Sequence, residues 1–122
     1  MTVVQGFACV VFFWAWVQQY LTHKIFAQLK VQLKGSQSGD THGIPFGGWF
    51  HYVSCPHYLA EIIMYACFAV ILGPTQHKTA IFIFAWVLIN QIVAGLMSHK
   101  WYLEKYSHAY PKNRKAVIPF IL

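Results

Sequence analysis

The sequence predicts an all-α, integral membrane protein with about three transmembrane helices and an amphipathic helix at the membrane interface. Three observations carry that expectation. Of its 122 residues 57% are apolar and 18% aromatic, while only 10% are charged, against roughly 25% in soluble domains. The apolar residues gather in three runs, 3–20, 58–72 and 79–97, and a span takes about 20 residues. The basic residues are also sorted. Lys24, Lys30 and Lys34 precede the second run, Lys100, Lys105, Lys112, Arg114 and Lys115 follow the third, and Lys78 stands alone between the two. Cytosolic loops collect Lys and Arg, so residues 22–55 and the tail are expected in the cytosol, with Met1 and residues 73–78 on the far side. The length suits a single domain.

The first run is apolar apart from Gln5, Gln18 and Gln19. No basic stretch precedes it and Trp14 and Trp16 sit within it, so it reads as a retained span rather than a cleaved signal peptide. Beyond it, Ile25, Phe26, Leu29 and Leu33 recur at helical spacing, opposite Lys24, Gln28, Lys30 and Gln32. That pattern fits a helix lying on the cytosolic membrane surface and, equally, a solvated extension of the first span. Gly35 and Gly39 then interrupt it. Residues 41–56 are dense in Gly, Pro, His and aromatic residues, and Gly47-Gly48 permits positive φ and close approach of a ligand. An interfacial turn is the plainer explanation, since neither a GxGxxG nor a GKS motif is present. Pro56 suits a first helical turn, and Gly73-Pro74 closes the second run. In the third run Asn90 and Gln91 can bridge helices, and Ala94 and Gly95 permit close contact.

Glu61 is the one acidic residue inside an apolar run. A carboxylate at that depth costs a few kcal/mol and generally faces a cavity, a ligand or a partner. His57, Glu61 and Tyr65 recur every four residues and share a face. Either His57 and Glu61 satisfy each other at the membrane edge, or Glu61 accepts hydrogen bonds from a ligand. His99 and Tyr102 fall at the cytosolic boundary, where an interfacial anchor is the default. Lys112, Arg114 and Lys115 suit anionic lipid or a phosphorylated cofactor. Cys9, Cys55 and Cys67 form no CxxC pair and are expected as buried free thiols. His51, Cys55 and His57 have an HxxxCxH spacing, short of the four ligands of a structural zinc site, so no metal is expected. The net charge of +6 does not indicate nucleic acid, because the basic residues flank the membrane runs.

Three blocks in order carry a family resemblance: His42-Gly43-Ile44-Pro45-Phe46-Gly47-Gly48-Trp49-Phe50-His51-Tyr52-Val53-Ser54-Cys55-Pro56-His57-Tyr58-Leu59-Ala60-Glu61-Ile62, then Ser98-His99-Lys100-Trp101-Tyr102, then Tyr110-Pro111-Lys112-Asn113-Arg114-Lys115-Ala116-Val117-Ile118-Pro119-Phe120. From about Gln18 onward the chain resembles the C-terminal domain of the steroid 5α-reductase family. Asn90-Gln91 and Ser98-His99 are closest to its polyprenol (polyprenal) reductase branch. The resemblance implies an NADPH-dependent reductase of the endoplasmic reticulum membrane, acting on a polyisoprenoid lipid on the route to dolichol and protein N-glycosylation. Carried over by position, Glu61 matches a cofactor-contacting glutamate, Tyr102 and His99 the catalytic tyrosine and histidine beside the nicotinamide, and Arg114, with Lys112, the basic tail motif.

Gln19, His23 and Lys30 stand where steroid reductases carry Asn, Asp and Arg, His42 replaces a tyrosine and His57 an asparagine. Ala94 replaces an arginine of the steroid branch, which argues against a steroid substrate. In the family, carbonyl-polarising residues lie on N-terminal helices that this chain is expected to lack, so it reads as a fragment or truncated product. Two other classes fit the same composition: an isoprenylcysteine-methyltransferase-like enzyme using S-adenosylmethionine, and a non-catalytic membrane subunit.

Overall fold

A 33-residue helix, α1 (Val3–Gly35), opens the chain in the computed structural model, which describes residues 1–35 and 43–122. It runs without a break through the boundary between the first apolar run and the amphipathic stretch. The extension therefore forms in place of a separate surface helix, because nothing before Gly35 interrupts the helical hydrogen bonds. A single 3-10 turn, Gly48–His51, follows Gly47, whose φ of 105° suits glycine. Helix α2 (Pro56–Leu72) has proline in its first turn and ends at Gly73, where φ is 85°. Helix α3 (Lys78–Lys105) returns after a short turn. Among the described residues there is no strand, only an isolated parallel bridge between Val53 and Lys115.

Of the three spans expected, α3 is the one, among the described residues, that is both long and apolar enough to cross a membrane, while α2 is apolar but has 17 residues. Helices α1 and α2 pack antiparallel: Gln5 Nε2 donates to the carbonyl of Ile71 at 2.9 Å, and the rings of His23 and His57 lie 5.8 Å apart. The tail completes the core. Ala116 and Val117 are buried with Ile62, against Tyr58, Leu59, Phe84, Leu88 and Ile92 of α2 and α3. Backbone bonds from Ser54 N to Lys115 O (2.7 Å), Cys55 N to Ala116 O (3.0 Å) and Lys115 N to Tyr52 O (2.9 Å) tie the tail to the segment leading into α2. The loop and the tail thus occupy one end of the molecule.

Gly95 makes this packing possible. A Cβ there would sit 2.0 Å from Val117 Cγ2 and 3.6 Å from Tyr58 Cδ2 of α2, so the small residue expected at a helix contact also seats the returning tail.

Candidate functional site

The helix ends at the loop-and-tail pole enclose a groove of about 360 Å³ lined by His23, Phe26, Leu29, Lys30 and Leu33 of α1, Gly43, His57 of α2 and Tyr102 of α3. Its residues come together because α1 continues beyond its apolar run, carrying His23 and Lys30 level with the start of α2. Phe26 holds the wall by edge contacts with Phe50 at 5.1 Å and His57 at 5.2 Å. His57 is half-buried and its Nδ1 has no hydrogen-bond partner among the described residues, so a polar atom in the groove wall lacks the partner that burial ordinarily demands.

Tyr102 is positioned from behind. Its ring stacks on Tyr110 at 5.2 Å and 13°. Tyr110 is 3% exposed and its hydroxyl is hydrogen-bonded to Ser54 Oγ, which also meets His99 Nδ1 at 2.6 Å. Arg114 closes this cluster. Nη1 donates to the Pro45 carbonyl at 3.1 Å and to the Tyr110 hydroxyl at 3.4 Å, and the guanidinium lies over the Phe46 and Tyr110 rings. At 3% exposure it is a buried cation joining loop to tail, and its Nε has no partner. Cys55, beside this cluster, has its thiol pushed up to about 11 by burial, which outweighs the hydrogen bond to Ser98. The thiol is therefore held protonated near neutral pH, which disfavours it as a nucleophile. Cys55 and Cys67 are buried free thiols, and Cys9 is half-buried.

The ten site residues expected from the sequence therefore separate. His23, Lys30, His57 and Tyr102 line one groove. His99 and Arg114 lie in the buried network behind Tyr102. Glu61 is half-buried one turn into α2 from His57, without a hydrogen bond or ion pair to any described residue, so the proposed His57–Glu61 pairing is not formed. The antiparallel register brings Gln19, also half-buried, level with Glu61. Lys112 is exposed on the tail, and His42 lies outside the described residues. Ser54 and Tyr110 were not evident as site residues: a serine just ahead of a helix reads as a cap, whereas this hydroxyl turns to His99 and Tyr110.

Fold and groove together define a helical protein of membrane type with a polar, imidazole- and cation-lined cleft at one end of its bundle. The chain belongs to the steroid 5α-reductase family: the family model described as 3-oxo-5-alpha-steroid 4-dehydrogenase matches residues 2–122. It is similar to proteins named polyprenal reductase, 42% identical in Drosophila melanogaster over 92% of this chain and 34% of that protein. The corresponding figures are 38% over 92% and 35% for Homo sapiens, and 38% over 96% and 31% for polyprenal reductase 1 of Oryza sativa subsp. indica. The chain spans about a third of the length of these relatives.

Proposed function

We propose that this chain holds NADPH in the groove between α1, α2 and α3, as part of an enzyme that reduces the α-isoprene double bond of polyprenal. The setting is the endoplasmic reticulum membrane, on the route to dolichol that supports protein N-glycosylation. The observation that carries this reading is the convergence of His23, Lys30, His57 and Tyr102, from three separate helices, on one groove. The activity named for the relatives supports the substrate class.

The residues fit a dinucleotide. Imidazole and phenol faces line the groove for ring contacts, and Lys30 offers a cation for phosphate. When bound, NADPH supplies the hydride. Glu61 and Gln19 offer hydrogen-bond acceptors one turn deeper, Tyr102 orients the reacting end, and the apolar helices exclude water from it. Hydride adds to an alkene only where a conjugated carbonyl takes up the charge, so polyprenal, rather than the alcohol, is the chemically suited substrate.

Thermal stabilisation of the detergent-solubilised chain tests this. NADPH at a hundredfold excess over its Kd stabilises by about 2.7 kcal/mol, with less from NADH and none from S-adenosylmethionine. Stabilisation by S-adenosylmethionine instead would favour methyl transfer; no response to any of the three would favour a non-catalytic subunit.

A further inference from the structure

The cluster behind Tyr102 has a direction. Arg114 donates through Nη1 to the Tyr110 hydroxyl at 3.4 Å, and a guanidinium has donors only. Tyr110 is therefore the acceptor in that bond, and its single proton needs another acceptor. The partner available is Ser54 Oγ. Ser54 then accepts from Tyr110, and its own proton goes to His99 Nδ1, 2.6 Å away. Both hydroxyl protons, those of Tyr110 and Ser54, then have one acceptor each.

We infer that this one-way chain, Arg114 to Tyr110 to Ser54 to His99, fixes His99 as the neutral tautomer protonated on Nε2, with Ser54 as the positioning residue. The opposite arrangement, with Nδ1–H donating to Ser54, strands a hydroxyl proton of Ser54 or Tyr110 without an acceptor. Those residues are 0% and 3% exposed, and an orphaned buried donor of that kind biases the equilibrium by about tenfold or more. Nε2–H is then the only ring group of His99 able to donate. It suits a carbonyl or carboxamide oxygen, a role that rests on the nicotinamide reading above.

The test is a ring-nitrogen spectrum of the full chain, labelled with 15N-histidine, in detergent micelles without cofactor. The His99 signals are identified by their loss in His99→Gln. The expected spectrum shows an unprotonated, hydrogen-bonded Nδ1 and a protonated Nε2. Ser54→Ala loses that bias and gives mixed tautomers, with helix content unchanged by circular dichroism. Tyr110→Phe keeps it, because the Ser54 proton still has His99 Nδ1 as its acceptor. A wild-type Nδ1–H tautomer, or an Nε2–H tautomer unaltered in Ser54→Ala, overturns the inference. If Ser54→Ala does not fold, Tyr110→Phe carries the comparison: retention of Nε2–H supports the chain, and a switch to Nδ1–H overturns it. NADPH binding is measured separately, so absence of binding with the expected spectrum rejects the cofactor reading while leaving the hydrogen-bond chain standing.

Discussion

Glu61 and Tyr102 divide the candidate site at the scale of single residues. Tyr102 lies in the groove wall, whereas Glu61 sits one turn deeper on α2, level with Gln19. Loss of a hydrogen bond to a charged group costs about 1.5–3 kcal/mol, so Glu61→Gln should weaken NADPH binding roughly 10- to 100-fold. Tyr102→Phe removes a neutral hydroxyl and should cost only a few-fold. Equilibrium titration of the two purified variants, with membrane insertion checked in parallel, measures both. Unchanged affinity in Glu61→Gln alongside weakening in Tyr102→Phe would confine the cofactor to the open groove; no change in either would remove both from the site. His57 illustrates what spacing could reveal, since its four-residue interval from Glu61 placed the two on one helix face without telling which partner each meets. Arg114 was harder to read. A basic residue in a tail looks solvated, and its burial depends on Pro45, Phe46 and Tyr110, residues brought to it only by tertiary contact.

Among the structural elements, the tail does most to hold the site in shape, because Val117 occupies the space above Gly95 and the adjoining residues present Arg114 and Tyr110. Gly95→Ala should displace it. Its Cβ would fall 2.0 Å from Val117 Cγ2, and overpacking of this kind costs about 1–3 kcal/mol. Val117→Ala alone should cost roughly 2 kcal/mol through the cavity it opens. In the double variant the new methyl enters the vacated space, so the two losses should fail to add by about 1 kcal/mol or more. Thermal denaturation midpoints of the three variants in detergent measure the coupling, and strict additivity would show that the tail does not seat on Gly95. Elements set by local signals were legible in the sequence: Pro56 starts α2, Gly73 ends it, and the third apolar run forms α3. The tail's insertion was not, since a bridge between Val53 and Lys115 leaves no periodicity along the chain. The join between the first run and the amphipathic stretch had two readings because composition changes there while helix propensity does not.

On the scale of the whole molecule, we propose that α1 crosses the membrane with its first apolar run and that its length separates the groove from the hydrocarbon. At 1.5 Å per residue, the 33 residues of α1 extend about 50 Å, some 20 Å more than a hydrocarbon core about 30 Å thick. The excess is the segment bearing Lys24, Lys30 and Lys34, and it forms one wall of the groove. Helix α2 begins beside it at Pro56, so in the proposed topology the groove opens at the membrane boundary with Glu61 just inside. A charged, water-soluble cofactor would then approach from one side and an isoprenoid through the bilayer. The sorting of basic residues predicts that the groove side is cytosolic. Lys112 is exposed at that end and Thr75 is exposed in the opposite turn. In sealed microsomes with the cytosolic face outward, a membrane-impermeant maleimide should therefore label Lys112→Cys at once and Thr75→Cys only after detergent is added. Cys55 and Cys67 are buried and Cys9 is half-buried, so the unsubstituted chain sets a low background. Labelling of Thr75→Cys in intact vesicles, with Lys112→Cys protected, would invert the orientation and place the groove away from cytosolic NADPH.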